Sequence, residues 1–195
     1  MTYLKKVKIG ILTKPFTELD AWEISLFEQL LELDFLEISV LIFDGRPQDT
    51  NSAKPSFLSR LWPGNFLWRW QQSIEKKLFV PVSVESEKVR HMFDSVDKLE
   101  MFPRRKGFVD FFEEADTEKI KQLDLDIILR HEFNIIKGAI LNASKYGVWS
   151  LHHGDNFVNR GGPAGFWEIV EGHEAIGVTL QQLTGTKSFF SIDCF

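Results

Sequence analysis

An α/β fold, a mostly parallel sheet flanked by helices, is predicted by three features of the chain. Strand-length runs rich in β-branched and aliphatic residues recur at Val7–Thr13 (VKIGILT), 38–43 (ISVLIF) and 124–130 (DLDIILR), as expected for strands buried on both faces. Between the first two lies a stretch with apolar residues at helical spacing, which makes a right-handed strand–helix–strand unit. A further apolar run, Val148, Trp149 and Leu151, ends in His152-His153-Gly154-Asp155. Ligands of open α/β sheets bind beyond the carboxyl ends of the strands. That polar ending is therefore the leading site candidate.

The elements follow in order. After the 7–13 strand, Asp20-Ala21-Trp22-Glu23 opens a helix with a capping-box-like pattern. Trp22, Leu26 and Leu30, with Ile24, Phe27 and Leu31, give it one broad apolar face. The 38–43 strand stops at Asp44-Gly45-Arg46-Pro47, and 48–56 is a polar loop. Residues 57–79 form an aromatic segment with Trp62, Phe66, Trp68 and Trp70, read as a helical pair packed on the sheet. An acceptor lid or a membrane-surface patch is the sharper reading, but Lys76-Lys77 supplies too little positive charge for a membrane. Residues 80–105 hold short strand-like pieces, and His91 is a surface or partly packed residue without a second ligand at metal spacing. The 110–114 stretch is acidic, and Asp116 can cap a helix ending near Leu123. The 124–130 strand has an acidic entry and a basic exit. A loop at 131–136 and a helix at 137–146, stopped by Gly147, come next. Beyond Asp155 a Gly/Asn/Pro-rich loop feeds a helix near Ala164, and Gly177-Val178-Thr179-Leu180 begins another strand.

With 195 residues, 44% hydrophobic and 26% charged, residues 1–195 suit a single soluble domain with a substantial core. The 18 Phe and 6 Trp imply a core and pocket rich in flat surfaces. A net charge of -5 gives no footprint for nucleic acid, which argues against a tRNA acceptor. Cys194 is the one cysteine, so no disulfide framework forms. No apolar run reaches membrane-spanning length, and the start lacks a signal h-region, so a cytoplasmic location without membrane contact is expected. The first turn, Thr13-Lys14-Pro15-Phe16, lacks the glycines that cradle a dinucleotide phosphate, which weakens a nicotinamide reading.

Ser150-Leu151-His152, Arg160-Gly161, Trp167 seven residues after that arginine, and Gly177-Val178-Thr179-Leu180 together resemble the folate-dependent formyltransferases. That family includes the methionyl-tRNA, glycinamide ribonucleotide and amino-sugar enzymes. Its pattern is Asn-x-His, a loop closing in Arg-Gly, a helix, a Gly-Val-Thr strand and a Leu-Asp-x-Gly turn. The wording from His152 to Pro163 is closer still to a bacterial formyltransferase-like subgroup. The resemblance spans about 123–183 and extends more faintly over the N-terminal strand–helix–strand. It implies a formyltransferase-type, Rossmann-like fold and 10-formyltetrahydrofolate as co-substrate. In the family the loop matching 131–136 holds the pterin largely through backbone groups, which carries over to Phe133, Asn134, Ile135 and Ile136. Ordinary loop packing is as good an account of any one of them.

Formyl transfer to an amine passes through a tetrahedral oxyanion and needs a proton relay. His152 occupies the family position for that relay, and a strand-end histidine titrates in the right range. Ser150 stands where the family has Asn; its hydroxyl can donate a hydrogen bond but is shorter than the amide. His153, Asp155, Asn156 and Arg160 are the residues placed for the acceptor, although turn formation explains His153, Asp155 and Asn156 equally well. A dinuclear metallophosphoesterase, suggested by Gly154-Asp155 and Gly172-His173-Glu174, fails because Asn159 replaces a needed carboxylate and no Asp-x-His follows the first strand. No metal is therefore expected. A serine hydrolase lacks its G-x-S-x-G elbow.

The family's third catalytic residue, an Asp that orients the His, falls at about Ser188, whereas Asp193 is the only carboxylate after Glu174 and lies five residues further on. The domain is accordingly expected to be incomplete at its C-terminal end. Asp193 then serves only if 187–192 loops back toward His152, and the Val178–Leu183 strand is left less covered. An exposed edge invites pairing with another chain, so a homo-oligomer stays open. Two functions follow: formyl transfer to a small amine, an amino sugar among the candidates, weakened by loss of the family Asp; or an inactive, vestigial binding protein of the same fold.

Overall fold

The computed structural model describes residues 5–14, 21–46, 70, 73–74, 77–78, 91–131, 133–154, 165–185 and 191–194, the last four for backbone alone. The 48–56 loop, nearly all of the 57–79 aromatic segment, and Asp155, Asn156 and Arg160 lie outside them.

Strand β1 (Val7–Thr13) sits at the centre, parallel to β2 (Leu36–Asp44) on one side and β6 (Ile127–Arg130) on the other. β3 (Asp97–Met101) continues the parallel array beyond β2, and β8 (Val148–His152) continues it beyond β6. β9 (Val178–Leu183) returns antiparallel beside β8, and β10 (Ser191–Cys194) pairs antiparallel with β9. The seven-stranded order is β10-β9-β8-β6-β1-β2-β3. The chain therefore has the mostly parallel sheet expected of it.

Alternation along β1 and β2 sorts side chains to two cores. Ile11 and Leu41 join Phe93 and, from helix α1 (Ala21–Glu32), Ile24 and Phe27 on one face. Leu12, Val40 and Ile42 join Ile120, Leu125, Ile128, Ile140 and Val148 on the other. Ile120 comes from helix α2 (Glu114–Gln122). Gly10 makes room for the second of these cores: a Cβ there would stand 2.6 Å from Leu125 Cδ1 and 3.1 Å from Val40 Cγ1. Of the apolar face expected on α1, Ile24 and Phe27 are buried while Trp22 and Leu31 face outward. Glu23, expected to act in a capping box, instead turns into the protein at 1% exposure.

A second sheet was not foreseen. β4 (Arg104–Lys106) and β5 (Val109–Phe111) form a hairpin, and β7 (Ile135–Lys137) adds parallel to β5. The end of the expected 131–136 loop is thus a strand. The helix expected at 137–146 is also corrected: only a 3-10 turn forms, at Ala139–Asn142. Gly138 adopts φ 94, which a right-handed helix does not accommodate. The Lys145 and Tyr146 amides then bond Leu125 and Asp126 carbonyls rather than their own preceding turn. Asp116 lies inside the first turn of α2, where it pairs with Lys119, and Glu113 takes the cap position with no side-chain bond.

The tail differs from expectation as well. β9 is not an edge, because β10 covers it; among the described strands the edges of the large sheet are β10 and β3. No helix among the described residues is long and apolar enough to cross a membrane.

Candidate active site

Three parallel strands end side by side. β1 delivers Thr13 and Lys14, β6 delivers Arg130 and His131, and β8 delivers His152 and His153. Leu12 is level with Arg130, and Arg130 with Ser150, so the polar residues beyond this row share one end of the sheet.

His152 is half-buried at the last position of β8. Burial, then the charges of His153 and Arg130, hold its pKa below the ordinary 6.5. It is consequently neutral at pH 7 and able to accept a proton. The acid limb of a kcat/KM profile that needs neutral His152 is expected to fall below pH 6.5. A limb at or above that value would show that another group governs it.

Ser150 is buried at 1% exposure and its hydroxyl is already engaged. It accepts from Arg130 Nη1 at 3.1 Å and donates to the Leu151 carbonyl at 3.2 Å. Its single proton reaches an oxyanion only by rotating off that carbonyl. Arg130 in turn donates through Nε to the Phe133 carbonyl at 3.0 Å, tying the loop after β6 to the strand that carries His152. Sequence reading noted Arg130 only as a basic strand exit; its bridging role depends on β6 and β8 being neighbours.

Within 133–136 the side chains divide. Phe133 and Ile136 enter the core at 8% and 3% exposure, with the Phe133 ring tilted against Phe112. Asn134 is held by Asp110, which accepts from its backbone amide and its Nδ2, each at 3.2 Å. Ile135 is exposed. Phe133 and Ile136 thus build the floor of this segment, and Ile135 presents its outer surface.

His153 is exposed, its ring edge-on to Trp22 at 5.1 Å. Behind Trp22 lies a buried cluster absent from the sequence reading. His131 Nε2 is 3.0 Å from Glu23 Oε1, its Nδ1 is 3.3 Å from Thr13 Oγ1, and Lys14 Nζ is 3.1 Å from Glu23 Oε2. These contacts join α1 to the ends of β1 and β6. Gly154 is locked by Thr179 Oγ1, which donates to its carbonyl at 2.9 Å. Asp193 is level with Thr179, which is level with His152. Its backbone is therefore two strand spacings from His152, about 10 Å. The register of β10 against β9 sets that distance, and 186–190, which carry most of the loop expected to turn back, lie outside the described residues.

Asp110 is the residue most underrated by sequence, where it appears as part of an acidic stretch. Burial raises its pKa, but hydrogen bonds and charges from Arg46 and Arg105 outweigh that and hold it at about 2, against an ordinary 3.8. A depressed carboxyl stabilises the fold above its unfolded pKa and loses that contribution as pH falls through the folded value. From the two pKa values this is about 2 kcal/mol, present above roughly pH 4 and lost toward pH 2. Urea midpoints of wild type and Asp110→Asn should accordingly converge on acidification across that window; a constant gap would contradict it.

Among the described residues no three His, Cys, Asp or Glu side chains converge as metal ligands do. No protein-family model matches the chain. The fold does have counterparts among solved structures. Glycinamide ribonucleotide transformylase 1 from Symbiobacterium toebii superposes with a TM-score of 0.53 at 14% identity, covering 96% of this chain and 74% of that one. The Geobacillus kaustophilus transformylase gives 0.54 at 11%, covering 97% and 84%. The chain has the formyltransferase fold. A formyltetrahydrofolate deformylase from Pseudomonas syringae pv. tomato str. DC3000 shares it, with a TM-score of 0.53 at 9% identity over 97% of this chain and 52% of that one. In sequence, the chain is 29% identical over 109 residues to a methionyl-tRNA formyltransferase of Bacillus mycoides (strain KBAB4). The match takes in 55% of this chain and 32% of that protein, so the chain spans about a third of the curated relative's length.

Proposed function

We propose that this formyltransferase-fold chain transfers a formyl group from 10-formyltetrahydrofolate to the amine of a small acceptor, an amino sugar being one candidate. The observation that carries the reading is His152, kept neutral at the end of β8 and linked through Ser150 and Arg130 to the 133–136 segment. In the reaction the acceptor nitrogen attacks the formyl carbon, the bond from that carbon to folate N10 breaks, and the amine proton passes to N10. His152 takes that proton and returns it to the leaving nitrogen. Ser150, rotated off the Leu151 carbonyl, donates to the oxyanion. Phe133, Asn134, Ile135 and Ile136 hold the pterin, and His153 with Asp155, Asn156 and Arg160 meets the acceptor. A net charge of -5 supports a small acceptor over tRNA.

The second reading, an inactive binding protein, draws on the engaged Ser150 hydroxyl and on Asp193 lying two strands from His152. Such a unit loses most of its power when one member is misplaced, so slow turnover is expected even under the first reading, with a small further loss in Asp193→Asn. Release of tetrahydrofolate from 10-formyltetrahydrofolate, followed by absorbance across a panel of amino sugars, nucleotide-linked amino sugars and amino acids, separates the two. Acceptor-dependent release supports transfer. Folate binding without release from any acceptor supports the binding protein.

A further inference from the structure

Asp110 collects more polar contacts than any function described above requires. It is 0% exposed. Oδ1 accepts from Arg46 Nη1 at 2.7 Å and from Arg105 Nε at 3.1 Å. Oδ2 accepts from Arg46 Nη2 at 3.2 Å, from Arg105 Nη2 at 3.5 Å, and from both Asn134 donors. Arg46 is anchored in its turn to Asp44 and to the Pro103 carbonyl at 3.0 Å. Three distant stretches meet at this one carboxylate: the exit of β2, the β4–β5 hairpin and the segment following β6.

A buried ion cluster is a poor source of stability, since apolar packing of equal volume often does as well. What apolar packing does not supply is a directional acceptor for the Asn134 backbone amide. That bond fixes where the segment leaves β6. Arg130 reads the same place from the other side, through the Phe133 carbonyl, and passes it to Ser150 on β8.

We infer that Asp110 is a positioning residue of the site, setting residues 133–136 and, through Arg130, the strand end that carries Ser150 and His152. The inference rests on the proposed function only for what the 133–136 segment binds. The placement of that segment and its link to His152 stand apart from any ligand.

The test compares wild type with Asp110→Asn, which keeps the volume and removes the charge, in three readouts. Amide hydrogen exchange at 133–136 should rise by about tenfold or more while β1 and β2 stay protected. The His152 titration followed by NMR should move upward as Arg130 withdraws. The dissociation constant for 5-formyltetrahydrofolate should weaken by about tenfold or more. Unchanged exchange at 133–136 together with an unmoved His152 titration would overturn the inference. If wild type binds no folate, the folate reading falls, while exchange and titration still decide the positioning. If Asp110→Asn does not fold, Asn134→Pro replaces it, because it removes both the backbone-amide and the Nδ2 donor to Asp110 and leaves both arginines paired with that carboxylate. There, exchange in the segment should rise by about threefold to tenfold, and no rise would overturn the inference.

Discussion

Replacing His152 by alanine is expected to lower kcat for formyl transfer by about two to four orders of magnitude, the usual worth of a positioned acid–base group. The expectation rests on position and on protonation state. His152 ends β8, where β1, β6 and β8 open together, and burial keeps it neutral at pH 7. The neighbouring histidine serves as the control. His153 is exposed and leans edge-on against Trp22, so His153→Ala should cost far less in kcat and act mainly on the acceptor KM. Steady-state kinetics of the two variants against one acceptor decide the matter. Equal losses in kcat would mean that the relay is assigned to the wrong histidine, or that both serve the fold.

The second large effect is on stability. Phe27→Ala should destabilise the chain by about 3–5 kcal/mol, the range for removing a buried aromatic ring. Phe27 is fully buried and seats α1 on the sheet, with its ring edge-on to Phe93 at 5.5 Å and to His131 at 5.2 Å. The cavity would open beneath His131, whose Nε2 faces Glu23 and whose Nδ1 faces Thr13. A drop in the urea midpoint with an unchanged slope is the expected observation. A loss under about 1 kcal/mol would show that α1 gains its hold elsewhere.

Most of the parallel sheet was legible because both faces of its strands are buried. VKIGILT is strand β1 at its expected limits, and ISVLIF lies within β2. A run that is apolar apart from one or two residues, and is followed closely by Pro or Gly, leaves few alternatives at that length. The 137–146 helix failed for a reason local patterns do not contain. Its amides found partners on the segment entering β6, and a single glycine at positive φ broke the start. β7 was missed because three residues paired to a distant hairpin carry no periodic signal. In the site, the His152 position was legible from the run that delivers it. Arg130, Asp110 and the Glu23–His131 contact were not, since each depends on side chains brought together from distant parts of the chain. A charged residue inside an apolar or acidic run was the one available signal, and it does not name its partner.

The measurement closest to the central claim is calorimetric titration of the unmodified chain with 5-formyltetrahydrofolate, paired with its melting temperature at millimolar ligand. A ligand that binds only the folded state stabilises it by mass action, by about 2.7 kcal/mol at a hundredfold excess over Kd. Saturable heat and a raised melting temperature, both weakened when Arg130 is replaced by methionine, are the predicted result. No heat and no shift at millimolar reduced folate would contradict the account, because the 133–136 segment would then hold no pterin and His152 would have no formyl group to act on.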